Sequence, residues 1–131
     1  MRIDYDIVPA GMYPANGYLT VNNEWALEKC KVFHWSAVVA HDAGRLLGVL
    51  TFTHIGDVLE VEDVWTRCDV RGRGLATNLW AVVLDTCGLW RVIVEVASPA
   101  GAAMVRSVMR QRPDLRWCVT DLMLLAERVA A

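Results

Sequence analysis

The sequence lacks the cysteine patterns that mark metal-binding and disulfide-rich proteins. Its four cysteines (Cys30, Cys68, Cys87 and Cys118) are far apart, form no Cys-x-x-Cys pair and have no histidine nearby at metal-ligand spacing. We therefore predict no metal site. We interpret the cysteines as reduced thiols that serve as small hydrophobic residues in a cytoplasmic protein.

Long apolar runs, a leader and an excess of basic charge are also missing. No apolar stretch approaches the roughly 20 residues that cross a membrane, and the charged start at Met1–Asp4 does not resemble a signal peptide. The formal net charge of −2 argues against a nucleic-acid surface that covers the whole domain. We therefore expect no membrane partner; the charge disfavours a nucleic-acid partner but leaves a local basic patch open.

The chain does contain enough apolar material for one core. Hydrophobic residues make up 55% of the 131 residues and charged residues 21%, a balance that is typical of a folded domain and not of a disordered chain. No repeat, low-complexity tract or linker divides the sequence. We therefore expect one domain over residues 1–131.

Hydrophobic periodicity predicts an α/β (α+β) fold, with a mixed, mostly antiparallel central sheet flanked by helices. The predicted strands are Met1–Ile7, Phe33–Val39, Leu46–Thr53, Val58–Arg67, Trp90–Ala97 and Arg116–Leu125. The predicted helices are Asn23–Lys31, Leu75–Thr86 and Ser98–Arg112, with Ser98 as an N-cap and Pro99 at the first helical position. Periodicity alone leaves open whether Leu122–Ala131 is a strand or a helix.

The join between the fourth predicted strand and the helix from Leu75 carries the clearest chemical signal. Gly72 and Gly74 permit close approach of the backbone to a ligand, and the first helical N–H groups have no partner within the helix. With the positive end of the helix dipole and two arginines, Arg71 and Arg73, this corner suits a diphosphate. Two other interpretations remain open from the residues alone: a tight turn without a ligand, and contact of the arginines with nucleic acid.

At this corner the sequence resembles the GNAT superfamily of acyl-CoA-dependent N-acyltransferases. The pyrophosphate motif of that family, [Arg/Gln]-x-x-Gly-x-[Gly/Ala], is filled by Arg71, Gly74 and Ala76. Upstream, Glu62–Thr66 is similar to the family's fourth strand. Downstream, Trp90–Ala97 and Ser98–Arg112 follow as its fifth strand and the next helix, so about half of the chain matches in register.

The resemblance implies a cleft between the fourth and fifth strands that holds acetyl-CoA or a related acyl-CoA as co-substrate. It implies direct attack of an amine on the thioester, with a small-molecule or protein amine as the acceptor, and it is compatible with a homodimer. Main-chain groups of Val64–Thr66 would hold the pantetheine arm, and those of Gly72–Thr77 the pyrophosphate. The implied cofactor site comprises Val64, Trp65, Thr66, Arg71, Gly72, Arg73, Gly74, Leu75, Ala76 and Thr77.

Proton transfer requires a base, because an alkylamine with a pKa of about 10.4 is protonated at neutral pH. Strict alternation along the fourth strand predicts Glu60 and Glu62 on one face and Asp63 on the other. We expect Glu62 to be the base, with Glu60 second and Asp63 third. The alternative is a solvated acidic face, or one that binds a cationic substrate without accepting a proton.

The tyrosine acid that the family usually carries on the helix after the fifth strand is missing. Ser98–Arg112 contains no tyrosine, and Ser107 stands in its place. We expect either that the leaving thiolate needs no acid or that Ser107 relays a proton through water. The departure leaves two other functions open: a CoA-binding regulatory module without turnover, and a protein-interaction domain that binds no nucleotide.

Overall fold

Among the residues that the computed structural model describes, which are 2–10, 33–86 and 88–130, six strands form one sheet. Their order in the sheet is their order along the chain. The strands are β1 (Asp4–Val8), β2 (Ser36–Asp42), β3 (Arg45–Ile55), β4 (Val58–Thr66), β5 (Arg91–Val96) and β6 (Arg116–Asp121). The helix predicted at Asn23–Lys31 lies outside the described residues.

The sheet is mixed, as the sequence predicts. β1 to β4 pair antiparallel, with short turns from β2 to β3 and from β3 to β4, whereas β4, β5 and β6 are mutually parallel. Parallel neighbours need a crossover, and the two crossovers are helices α1 (Leu75–Thr86) and α2 (Pro99–Gln111). A third helix, α3 (Leu122–Ala130), follows β6, which resolves the ambiguity in this segment: it is a strand to Asp121 and a helix after it.

Apolar residues cover both faces of the sheet. The larger cluster joins one face to α1 and α2, with Leu50, Val92, Trp80 and Val105 among its members. The smaller cluster lies on the other face and is built from strand residues, against which Trp65 packs. Strands that are buried on both sides are nearly continuous in apolar residues, and β3 shows this pattern over Leu46–Leu50. No described helix is long and apolar enough to cross a membrane.

Gly48 lets α1 approach the sheet closely. A Cβ atom built on Gly48 would lie 2.5 Å from Leu75 Cδ2 and 3.1 Å from the carbonyl oxygen of Trp65. Since carbon atoms in contact are separated by about 3.5–4.0 Å, no larger residue fits here without displacement. The missing side chain on β3 therefore determines how deeply the first turn of α1 sits.

The start of α2 follows the predicted capping pattern. Ser98 has an extended backbone, its hydroxyl accepts a hydrogen bond from the Gly101 N–H at 3.0 Å, and Pro99 occupies the first turn. A cap of this kind satisfies one of the N–H groups that a helix leaves free. It directs the chain from the end of β5 into a helix without an intervening loop.

Candidate functional site

β4 and β5 separate halfway along their length. Their register pairs run from Val58 with Arg91 to Val61 with Val94 and stop there. Beyond that point β4 stays paired with β3 as far as Thr66, and β5 stays paired with β6 as far as Val96. The carboxyl-terminal halves of the two parallel strands therefore border a cleft in which neither strand pairs with the other.

The cleft has a volume of about 590 Å³, within the usual range for small-molecule sites. Its walls come from both strands and from the two crossover helices. From β4 and the following corner it is lined by Val61, Glu62, Asp63, Val64, Trp65, Thr66 and Arg71; from β5 and its end by Val94, Glu95, Val96, Ala97 and Ser98; and from the helices by Ala76, Trp80, Ala100, Gly101, Met104 and Val105.

A β-bulge places Glu62 at the point where the strands separate. Phe52 pairs with Val61 and Thr51 pairs with Asp63, so Glu62 is the extra residue of β4. The Thr51 hydroxyl accepts a hydrogen bond from the Asp63 N–H at 3.0 Å and is fully buried, which holds the bulge in place. A bulge re-aims side chains near a site and disrupts the ladder locally.

The bulge corrects the alternation that the sequence predicts for β4. Asp63 lies opposite Thr51 and Glu60 opposite Thr53, and these two threonines share a face of β3. Asp63 is therefore on the same face as Glu60, and not on the opposite one. The prediction failed because one inserted residue reverses the period of two for everything that follows it.

The predicted carboxylates come together around the end of the paired region. The pKa of Glu62 is raised, first by partial burial and then by the charges of Glu60, Asp63 and Glu95. Glu95 on β5 is a member of this group that sequence reasoning missed, because only the pairing of β4 with β5 brings it near. Such a group repels a second anion and attracts a cation.

The corner after β4 is held by local contacts that leave its amides exposed. The backbone N–H of Arg67 donates to the carbonyl oxygen of Leu47 at 2.8 Å, and the Arg67 guanidinium donates to both carboxylate oxygens of Asp69. Val70, which is buried, anchors the short turn that follows Arg67. The hydrogen bond from Arg67, with a smaller contribution from nearby Arg73, lowers the pKa of Asp69. This ion pair occupies Arg67, whereas Arg71 lines the cleft.

The backbone at the corner presents a row of N–H groups. Gly72 and Gly74 have positive φ angles of 83° and 73°, which L side chains adopt only with strain. Within the described part of the chain, no carbonyl or side chain accepts from the N–H of any residue between Gly72 and Thr77; the first such bond is from Asn78 to Gly74 at 3.0 Å. The first turn of α1 also contains no acidic residue. The corner therefore offers N–H donors, free within the described structure, at the positive end of a helix, which could hold an anion.

The structure leaves two predicted catalytic residues outside the cleft lining. Glu60 reaches the site through its charge on Glu62, and Ser107 lies on α2 one turn after Met104 and is not itself among the lining residues. Tyr5, the one tyrosine among the described residues, accepts a hydrogen bond from Asn78 at 3.1 Å and does not line the cleft either. In the same described residues, no group of three or more His, Cys, Asp or Glu side chains is arranged to hold a metal.

A comparison with family models identifies one match. The model of the acetyltransferase (GNAT) family matches residues 7–106, which is more than half of the chain. No curated protein sequence matches the chain significantly.

Solved structures with the same fold are numerous but distant in sequence. Ribosomal-protein-alanine N-acetyltransferase from Brucella melitensis biovar Abortus 2308 is 17% identical, with a TM-score of 0.57 over 84% of this chain and 89% of its own. Diaminobutyrate acetyltransferase EctA from Paenibacillus lautus, in complex with its substrate L-2,4-diaminobutyric acid and coenzyme A, is 15% identical, with a TM-score of 0.61 over 86% and 77%. A predicted acetyltransferase from Clostridium acetobutylicum with acetyl-CoA is 11% identical, with a TM-score of 0.55 over 82% and 88%. At these identities the likeness is one of fold.

Proposed function

Since this chain belongs to the acetyltransferase (GNAT) family and transfers an acetyl group from acetyl-CoA to an amine, we propose that the cleft between β4 and β5 is the place of that transfer. We propose further that residues 1–131 act as one acyltransferase domain. The observation that carries the assignment is the row of N–H groups at Gly72–Thr77, which have no acceptor among the described residues and lie beside the cleft that Arg71 and Ala76 line.

The diphosphate of acetyl-CoA fits this corner on charge and on hydrogen-bonding capacity. Six successive residues, Gly72 to Thr77, offer N–H groups without acceptors in the described structure. Arg71, on the cleft wall, adds a guanidinium donor, and Arg73 a second positive charge. Hydrogen bonds to a charged acceptor are about twice as strong as neutral ones, so this corner would supply most of the affinity for the nucleotide.

The pantetheine arm then follows the unpaired edge of β4. From Val64 to Thr66 this strand keeps its register with β3 but has no partner on the β5 side. An extended amide-containing arm can take hydrogen bonds from such an edge as an added strand does. N–H groups beside the thioester carbonyl would also stabilise the negative charge that develops on its oxygen during attack.

The acidic group around Glu62 handles the acceptor amine. Partial burial, and then the negative charges of Glu60, Asp63 and Glu95, raise the pKa of Glu62, which makes this carboxylate a stronger base than an ordinary one. A protonated amine is attracted to this charge, gives its proton to Glu62, directly or through a water, and attacks as the neutral species. The lone pair on nitrogen forms the new C–N bond and negative charge develops on the carbonyl oxygen; this charge then returns as the C–S bond breaks, and the second amine proton passes through water to the departing thiolate.

The departing thiolate has no tyrosine beside it on α2. Because Ser107 lies outside the cleft lining, its proposed role is a proton relay through water and not direct contact. A thiol is acidic enough to leave as the thiolate, so its protonation can follow C–S cleavage.

The acceptor is proposed to carry positive charge. The carboxylates at the cleft support this, since they favour cations over neutral or anionic amines. Similar folds acetylate amines as different as diaminobutyric acid and a ribosomal protein, so both small and protein amines belong in the test. The exposed free thiols Cys68 and Cys118 support a reducing compartment such as the cytoplasm.

A paired glycine substitution tests the cofactor site. Gly74 and Gly56 both have positive φ, of 73° and 60°, and both have open space where a Cβ would go. Alanine should therefore destabilise the fold similarly at either position, by about 1–2 kcal/mol. Gly74 is at the corner and Gly56 is not, so only Gly74→Ala should weaken the binding of acetyl-CoA, which calorimetry measures.

Equal acetyl-CoA affinity in the two variants would remove the corner as the diphosphate site. Release of free thiol from acetyl-CoA, followed over a panel of neutral, monocationic and dicationic amines, then tests the transfer. A chain that binds acetyl-CoA but releases thiol with none of these amines would be a binding module without turnover.

A further inference from the structure

Trp80 on α1 carries a buried hydrogen-bond donor that the fold does not use. Its side chain is 1% exposed, and no acceptor for its Nε1–H occurs among the described residues. The same residue lines the cleft. Its neighbour Trp117, whose ring centroid is 5.8 Å away, differs: the Trp117 Nε1–H donates to the carbonyl oxygen of Arg112 at 3.1 Å.

An unpaired indole N–H in a core is unfavourable. The group can only donate, and burial without an acceptor costs its hydration. Phenylalanine would fill much of the same space without this cost. A donor that is kept in such a position, on the wall of a ligand cleft, indicates an acceptor that arrives with the ligand.

The position of Trp80 along the cleft decides which part of the ligand it meets. The Trp80 ring contacts Trp117, which pairs with Val92 in the part of the sheet where β4 and β5 are still joined, so Trp80 lies on the vertex side of the cleft. Ala76 lies at the amide corner, one turn earlier on α1. With a rise of about 1.5 Å per residue, Trp80 is roughly 6 Å farther from the corner along the helix axis.

We propose that the Trp80 Nε1–H donates a hydrogen bond to an oxygen or the sulfur of the pantetheine–thioester arm of acetyl-CoA, and so positions the thioester at the vertex of the cleft. This rests on the proposed function, because it takes the diphosphate to lie at the Gly72–Thr77 corner. If the acceptor is the sulfur, the hydrogen bond donated by Trp80 would also stabilise the thiolate, in a protein whose α2 carries no tyrosine for that purpose.

The test removes the Trp80 Nε1–H with the least possible change in the shape of the side chain. β-(3-Benzothienyl)alanine at position 80 puts a sulfur where the indole N–H was, and Trp80→Phe is the simpler second variant. Calorimetry measures the affinity of each for acetyl-CoA, for CoA and for adenosine 3′,5′-bisphosphate, which lacks the arm. Trp117→Phe is the matched control, because it removes a neighbouring indole that has its own partner.

Loss of the Trp80 N–H should weaken acetyl-CoA or CoA binding roughly threefold to tenfold and leave the bisphosphate unchanged. A loss confined to acetyl-CoA assigns the acceptor to the acyl carbonyl, and a loss confined to CoA assigns it to the sulfur. The melting temperature of the ligand-free benzothienyl variant should match that of the wild type. Trp117→Phe should lower the melting temperature but keep the affinity ratio of acetyl-CoA to bisphosphate.

Three results would overturn the proposal. An equal change for all three ligands, or none, would show that the N–H does not contact the arm. A large fall in the melting temperature of the ligand-free benzothienyl variant would show that the N–H already has a partner in the protein. If the wild type bound none of the ligands, the cleft assignment itself would be wrong, a result distinct from a neutral Trp80 substitution.

Discussion

Gly48→Ala should displace the first turn of α1 away from the sheet. The proposed diphosphate corner at Gly72–Thr77, which is continuous with that turn, should move with it. The new Cβ would lie 2.5 Å from Leu75 Cδ2, 3.1 Å from the Trp65 carbonyl oxygen and 3.2 Å from Leu79 Cδ1. To restore a contact of about 3.5 Å, Leu75 has to retreat by about 1 Å. The Trp65 carbonyl belongs to the sheet and cannot yield, so the displacement falls on the first turn of α1.

The size of the effect follows from overpacking. Added volume in a close-packed core costs about 1–3 kcal/mol, which for a chain of this length corresponds to a loss of roughly 4–12 °C in melting temperature. The same shift misaligns the N–H groups after Gly72. Loss of one hydrogen bond to a charged phosphate, worth about 1.5 kcal/mol, would weaken acetyl-CoA binding about tenfold.

Differential scanning calorimetry with and without acetyl-CoA measures both quantities. Gly88→Ala is the matched control, because Gly88 has open space around its Cβ position and no positive φ. If Gly48→Ala melted like Gly88→Ala, α1 would not be as close to β3 as described. A destabilised variant with unchanged affinity would refute the link between helix depth and the amide corner.

Substitutions at three further positions test the residues around the cleft. Glu62→Gln should lower turnover more at neutral than at alkaline pH. Because the Glu62 pKa is raised in the folded state, protonated Glu62 favours the fold at low pH, and this contribution is lost as the pH rises through the folded-state pKa. The variant should therefore have a higher melting temperature than the wild type at pH 8 but not at pH 4. Thr51→Val removes the hydroxyl that accepts from the Asp63 N–H and should cost about 0.5–1.5 kcal/mol in urea unfolding, with a fall in kcat from the loosened bulge; an unchanged kcat would mean that the bulge does not position Glu62. Ser98→Ala removes the cap on Gly101 and should cost about 0.5–2 kcal/mol, whereas Ser98→Asn should restore most of it; equal loss in both would deny the cap.

Local patterns in the sequence were sufficient for the elements and for the corner. The alternation of apolar residues predicted the meander, Ser98 and Pro99 predicted the start of α2, and Gly72 and Gly74 predicted the strand-to-helix corner, whose role as an anion site stays a prediction. These features depend on residues within a few positions of one another, because capping, turn geometry and unpaired helical N–H groups are local properties of the backbone.

The tertiary structure alone decided which distant groups meet. The bulge at Glu62 depends on the register with Thr51, the charge of Glu95 on the pairing of β4 with β5, and the depth of α1 on Gly48. Nor does any pattern near Trp80 reveal that its N–H lacks a partner within the described part of the chain. Each of these properties arises between segments far apart in the chain, where pairing register and side-chain packing, not local propensity, determine the contacts.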